Sequence, residues 1–309
     1  MKVLVTGGAG FIGSNICKRL VKEGHDVRVI DNLSTGKLSN LDSIIDKIDF
    51  HNMDMGNFNR RPLFNGIDVV FHQGAMSSVP RSVATPDVTH YHCVDATFNA
   101  LLMARDAGVK KFIYAASSSA YGDSPVLPLV ETMKPNPKSP YAVAKLVGEH
   151  YCKVFYEVYG LKTISLRYFN VFGPHQSVDG GYAAVFPSFI SGVLNGEPPT
   201  IYGDGEQTRD FTYIDDVVEA NMMAMKSDNL KGDVINIAGG RQISVNSIAK
   251  DINDLCGKNV EFVYEEARKG DVKHTRAKVD SAKGLIGFEA SCDFREGLEK
   301  TVEWYKDNT

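Results

Sequence analysis

Residues 5–14 read VTGGAGFIGS. Gly7, Gly10 and Gly13 stand directly after the short apolar run KVLVT and directly before a stretch with helical patterning, from about Ser14 to Glu23. A glycine-rich turn between strand and helix lets backbone approach a pyrophosphate, and the helix start beyond it offers unpaired N–H donors and the positive end of the helix dipole. The next strand-like run, DVRVID at 26–31, ends on Asp31, which lies 18 residues beyond Gly13. A carboxylate there accepts both ribose hydroxyls and repels a 2′-phosphate, so the pattern points to NAD rather than NADP. Asp54, in HNMDMGN at 51–57, is read either as an adenine-side contact or as a loop cap.

Outward from this turn, apolar runs alternate with helix-length segments. DVVFHQ (68–73), KFIYAAS (111–117) and TISLRYF (163–169) are rich in β-branched and aromatic residues. Such runs predict buried strands of a doubly wound, parallel α/β sheet with crossover helices. After RYFNVFGP (167–174) the texture turns to loops, as in HQSVDGG and LNGEPPTIYGDGEQ. We therefore expect an NAD-binding domain over 1–170 and a smaller substrate-binding lobe over 171–309. GDVINIAGG at 232–240 reads as a strand that returns to the sheet.

The 309 residues exceed the roughly 250–300 at which a single core stops growing, consistent with one large domain and an appended lobe. Net charge is −4 and no basic block interleaves with aromatics, so a nucleic-acid partner is not expected. Five unpaired cysteines without a CxxC motif fit a reducing cytoplasm, and no signal peptide or membrane span is expected. His90, His92 and Cys93 do not suggest a metal site, because i and i+2 positions on a helix do not face one another.

Tyr141 and Lys145 stand four apart at the start of a helical pattern opened by Pro140, with Val143, Leu146, Val147, Tyr151, Val154 and Phe155 as its apolar side. An ammonium beside a phenol stabilises the phenolate and makes it a usable general acid and base. About twenty residues earlier, YAASSSAYGD (114–123) ends an apolar run in three hydroxyls, Ser117, Ser118 and Ser119.

Taken together, TGGAGFIG, Asp31, SSSAYG, YAVAK and RYFNVFGP resemble the extended short-chain dehydrogenase/reductases, specifically the UDP-hexose 4-epimerases, from Lys2 to about Phe288. SSVPRS, YAASSSAYGD, YAAVFPSF and GDGEQTRDF resemble the branch that acts on N-acetylated sugars. The resemblance implies a Rossmann fold, a homodimer through helices near 90–106 and 143–158, and catalysis by Ser117, Tyr141 and Lys145. The expected cofactor set is Gly7, Gly10, Phe11, Ile12, Gly13, Asp31, Asn32, Asp54, Met55, Gln73 and Lys145. On the substrate side it implies Ser77, Ser118, Asn170, Gln176, Ala184, Tyr202, Arg209, Arg268 and Thr275, with Arg209 and Arg268 on the diphosphate and Tyr202 beside uracil. Cys93 departs from the pattern, since relatives carry Asn ahead of the segment equivalent to VDATFN.

Related enzymes that dehydrate or decarboxylate place carboxylates just after the catalytic hydroxyl; here Ser118 and Ser119 occupy those places. The implied activity is 4-epimerisation of a UDP-sugar through a 4-keto intermediate, on UDP-GlcNAc/UDP-GalNAc, with UDP-glucose or UDP-glucuronate as alternatives. Thr275 is the small residue implied beside the sugar C2 substituent, and Ser119 reads mainly as the end of the strand. A non-catalytic sensor of NAD or nucleotide sugar is the alternative from another class, disfavoured because the Tyr/Lys pair is retained.

Overall fold

The computed structural model describes residues 1–57, 61–177, 185–267 and 272–308. Seven of its strands form one sheet: β1 (Lys2–Thr6), β2 (Asp26–Asp31), β3 (Ile48–Asn52), β4 (Val69–His72), β5 (Lys111–Ser117), β6 (Lys162–Tyr168) and β7 (Asp233–Ile237). The spatial order is β3-β2-β1-β4-β5-β6-β7, and every neighbouring pair is parallel. This is the doubly wound α/β arrangement expected from the sequence. The strand β3 has no counterpart in the sequence pattern because its run, IDFHN, is a half-buried edge strand with exposed Asp49 and Asn52 rather than an apolar block.

Alternate residues of each strand feed two cores. Val3, Val5, Val27, Val29, Phe71 and Ile113 lie in one, with Ile16, Cys17 and Leu20 of helix α1 (Phe11–Lys22). Leu4, Ile30, Val70, Phe112 and Tyr114 lie in the other, with Ala100, Leu101 and Ala104 of α2 (Ala96–Asp106) and Cys152 and Phe155 of α3 (Pro140–Tyr159). Helix α1 starts at Phe11, three residues earlier than the patterning suggests, with Gly10 as its N-cap.

For α3 the expected apolar side is corrected. Val143 and Val154 are 48% and 45% exposed, and the face against the sheet is Lys145, Gly148, Glu149, Cys152 and Phe155. Glycine is required at 148, where a Cβ would lie 2.3 Å from the Tyr114 hydroxyl. Ser139 caps the helix by accepting the Ala142 N–H at 3.2 Å, Pro140 occupies its first turn, and Gly160 ends it at φ +74°.

Beyond β6 the chain builds short paired strands and helix α4 (Val185–Asn195), then returns to the sheet through α5 (Ile214–Lys226), which packs on α1, and β7. Helices α6 (Val245–Cys256) and α7 (Phe294–Asn308) pack with α4. Phe172, Phe186, Phe211 and Phe294 meet in an aromatic cluster that belongs to the same core as the α1 side of the sheet.

Candidate active site

Sheet order reverses between β1 and β4, and the crevice beyond the strand ends there is where this topology binds ligands. Pairing brings Thr6 opposite both Ile30 and His72, so the glycine turn, the end of β2 and the end of β4 meet at that point. Gly7 adopts φ +67°, and a Cβ on it would come within 2.6 Å of Gly74. A Cβ on Gly13 would sit 2.1 Å from the Gly7 carbonyl oxygen. Both positions therefore require glycine, and the start of α1 carries neither a side-chain cap nor an acidic residue in its first turn.

Asp31, only 8% exposed, accepts the Ala9 N–H at 2.9 Å on Oδ2 and the Leu33 N–H at 2.8 Å on Oδ1. Burial raises its pKa above the usual carboxylate value, while those two N–H groups oppose the shift. Each oxygen keeps acceptor capacity for a ribose hydroxyl. Asp54 caps its loop by accepting the Gly56 N–H at 2.7 Å and also accepts from Asn32 Nδ2 at 3.0 Å. The Gln73 amide is held by the Tyr168 hydroxyl at 3.2 Å, which in turn accepts from Asn221 Nδ2 at 2.9 Å.

One cleft of about 780 Å³ unites these groups. Of the expected residues it is lined by Gly7, Gly10, Phe11, Ile12, Gly13, Asp31, Asn32, Asp54, Met55 and Gln73, and at its other end by Ser77, Tyr141, Lys145 and Gln176. A glycine cradle, a buried carboxylate and free helix N–H groups in one elongated cleft fit a dinucleotide with an unmodified adenosine ribose.

At the chemical end, the Lys145 ammonium donates to the Ala115 carbonyl at 2.8 Å and lies 6.0 Å from the Tyr141 ring centroid. Burial pushes the Tyr141 phenol above its ordinary value, Cys93 adds to the rise, and a hydrogen bond with Ser117 opposes it. Burial also lowers the pKa of Lys145 itself. Ser119, read mainly as a strand end, instead donates to Ser117 Oγ twice: from its N–H at 3.2 Å and from its hydroxyl at 2.9 Å. Strand spacing gave no sign of this pair, which forms because the chain turns after Ser117 into a short helical turn.

Cys93 is 1% exposed and packs with Met76, Val94, Ala144 and Tyr141. Its thiol, pushed up by burial, points to the Met76 carbonyl at 3.9 Å. A thiol there cannot supply the paired amide groups that Asn would. Behind it the Thr97 hydroxyl donates to the Cys93 carbonyl at 2.7 Å, which leaves Thr97 Oγ1 to accept from His72 Nε2 at 3.0 Å. On that assignment His72 Nδ1 accepts from the Thr6 hydroxyl at 2.7 Å, and Thr6 Oγ1 accepts the Gly74 N–H at 3.3 Å. Burial lowers the His72 pKa to about 3, so this buried relay is neutral and fixes the turn bearing Gly74.

Among the described residues, the substrate-side candidates Ser118, Asn170, Tyr202, Arg209 and Thr275 do not line the cleft. Asn170 donates to the Asp210 carbonyl at 2.8 Å, and Thr275 accepts the Asp210 N–H at 3.1 Å. Arg209 donates to the carbonyls of Thr208 at 3.0 Å and Lys273 at 3.2 Å, and the Tyr202 carbonyl accepts from Gln207 at 2.7 Å. Ser118 follows Ser117 in the same turn. Ala184 and Arg268 fall outside the described residues. Asp210, quoted in GDGEQTRDF without a role, ties this region together: it is fully buried and accepts the N–H groups of Gly240 at 3.0 Å and Ala277 at 2.9 Å.

The fold and cleft are those of a nucleotide-cofactor enzyme, with Tyr141 and Lys145 lining one end of the cleft. Residues 3–238 match the family model described as the NAD dependent epimerase/dehydratase family. The chain belongs to that family, and its cofactor is NAD. Its structure is similar to a UDP-N-acetylglucosamine 4-epimerase from Methanobrevibacter ruminantium M1, solved with UDP-N-acetylmuramic acid (TM-score 0.96, 40% identity, 100% of this chain and 99% of that one). It is also similar to the UDP-glucose 4-epimerase of Thermotoga maritima, solved with UDP-glucose (TM-score 0.95, 39% identity, 100% and 99% covered). A UDP-glucuronate 4-epimerase of Thermodesulfobacterium geofontis is 37% identical over 318 residues, covering 99% of this chain and 96% of the relative. Among the described residues no helix is long and apolar enough to cross a membrane.

Proposed function

We propose that the chain interconverts UDP-N-acetylglucosamine and UDP-N-acetylgalactosamine. The chain is an NAD-dependent UDP-sugar 4-epimerase, and the choice of sugar is the part proposed. Bound NAD supplies the acceptor and later the donor of the two electrons exchanged at C4 of the sugar. Tyr141 takes the proton of the C4 hydroxyl as that carbon is oxidised and returns one when it is reduced on its other face. Ser117 accepts two hydrogen bonds from Ser119 and directs its own hydrogen to the Tyr141 phenol, which it holds ready for proton transfer. Lys145 serves the nicotinamide side of the same pocket. Ser118 and Ser119 provide no carboxylate to remove a carbon-bound proton, so the chemistry stays at C4.

The observation that carries the sugar assignment is the short Thr275 side chain, held by the Asp210 N–H in the region that also contains Arg209 and Asn170. A small residue beside the C2 substituent leaves room for an acetamide, whereas a bulky ring would exclude it. The N-acetylglucosamine relative at 40% identity supports this reading. Ser77, Ser118, Gln176 and Ala184 would complete the ring about the sugar, Arg209 and Arg268 would hold the diphosphate, and Tyr202 would flank uracil. We assign NAD binding to residues 1–170 with the returning strand near 232–240, and substrate binding mainly to 171–309. A cytoplasmic homodimer completes the proposal. Exposed Tyr91, Val143, Val154, Val158 and Tyr159 supply apolar surface near the helices at 90–106 and 143–158.

The test is separate incubation with UDP-GlcNAc, UDP-glucose and UDP-glucuronate, with catalytic NAD and no external oxidant, followed by product separation. We expect kcat/KM for the N-acetylated pair to exceed the others by at least about tenfold. Preference for plain hexose or for glucuronate would replace the sugar assignment, and unchanged sugar throughout would point to a sensor.

A further inference from the structure

The cleft that takes NAD is completed by residues remote in sequence from the glycine turn. Trp304, Tyr305 and Asn308 of α7, with His175 and Gln176 from the segment after β6, line the same space as Gly10 and Phe11. Their mutual contacts give this wall a defined position. Lys18, two turns beyond Phe11 on α1, places Nζ 3.3 Å from His175 Nε2. The His175 ring lies over Trp304 with centroids 4.8 Å apart and planes at 46°, and Trp304 meets Tyr305 edge-on at 5.0 Å. The Tyr305 hydroxyl donates to the Gln176 carbonyl. His175 adopts φ +68°, a left-handed backbone that histidine occupies only at a cost, so the interlock with Lys18, Trp304 and Tyr305 holds it there.

We propose that Trp304, with His175 packed against it, forms the outer wall against the diphosphate of bound NAD and slows its release. The α1 start offers its N–H groups to the diphosphate from one side, and the wall runs along α1 from Phe11 towards Lys18 on the other. His175 lines the cleft on that side, and Lys18 contacts its ring. Burial lowers the pKa of both, and Lys18 lowers His175 further. Retention matters to this reaction because C4 regains the electrons it lost, so a cofactor that left between the two half-reactions would strand the sugar oxidised.

Trp304 is the chain's one tryptophan, so its fluorescence reports on this wall directly. With retained cofactor removed, NAD and ADP-ribose should change Trp304 emission on binding, while AMP, which lacks the diphosphate bridge, should not. Trp304→Ala should weaken NAD and ADP-ribose by about tenfold, mainly through faster release, and leave AMP unchanged; Trp304→Phe should keep most of the affinity. Emission that ignores NAD in the unmodified chain would overturn the proposal. So would variants that hold NAD within about twofold of the unmodified chain, or an equal loss for AMP, which would indicate a merely structural role.

Discussion

Ser117 Oγ accepts two hydrogen bonds from Ser119 while remaining the hydrogen-bond partner of Tyr141. An oxygen that receives two donors directs its own hydrogen elsewhere, and here the remaining direction leads to the phenol. Ser119→Ala removes the hydroxyl donor but keeps the N–H, so kcat should fall by roughly 3–10-fold with KM little changed. A rise in KM at constant kcat would instead place Ser119 in uniform substrate binding. Tyr141→Phe should fold, bind NAD and UDP-sugar, and lose turnover by about 10²–10⁴. Near-normal turnover would remove Tyr141 from the proton path. Burial raises the Tyr141 pKa, and the hydrogen bond from Ser117 works against that rise.

Helix α3 shows how far sequence spacing reaches at the scale of an element. The i, i+4 pair Tyr141/Lys145, the Pro140 start and the end of β5 were legible, because each depends on local spacing. Which side of α3 is buried was not, because the inward face carries Lys145, Glu149 and a glycine that look polar or neutral in a pattern of apolar residues. That face is set by a partner on β6: Arg167 donates to both oxygens of Glu149, at 2.8 and 2.7 Å, with both side chains 3% exposed. The guanidinium also lies 4.6 Å from the Tyr121 ring centroid, and Tyr121 donates to Asn236 of β7 at 2.7 Å. Glu149→Gln should lower stability by about 3–5 kcal/mol by leaving Arg167 buried and uncompensated, whereas Glu149→Leu combined with Arg167→Met should recover most of it. Denaturant melts of the two variants would test this, and a double variant no more stable than Glu149→Gln would refute the coupling.

Across the whole molecule, Asp210 ties distant segments together, since its backbone and carboxylate engage Asn170, Thr275, Gly240 and Ala277. Such hubs are invisible in sequence because their partners lie tens of residues apart and meet only after the sheet has formed. Burial raises the Asp210 pKa from 3.8 to about 6. Between those values the folded state binds the proton more tightly than the unfolded chain, so this group's contribution to stability falls as pH rises through the window and is constant above it. The stability advantage of the unmodified chain over Asp210→Asn should therefore shrink by up to about 3 kcal/mol from pH 4 to 7. An advantage that grows over that range would reverse the assignment.

The position of α7 also bears on biosynthesis. The glycine turn and Asp31 emerge from the ribosome early, but the cleft gains Trp304, Tyr305 and Asn308 only after almost all of the described chain has been made. A nascent chain can therefore present the cradle without the wall, and firm loading of NAD follows translation of α7 instead of accompanying the first folded strands.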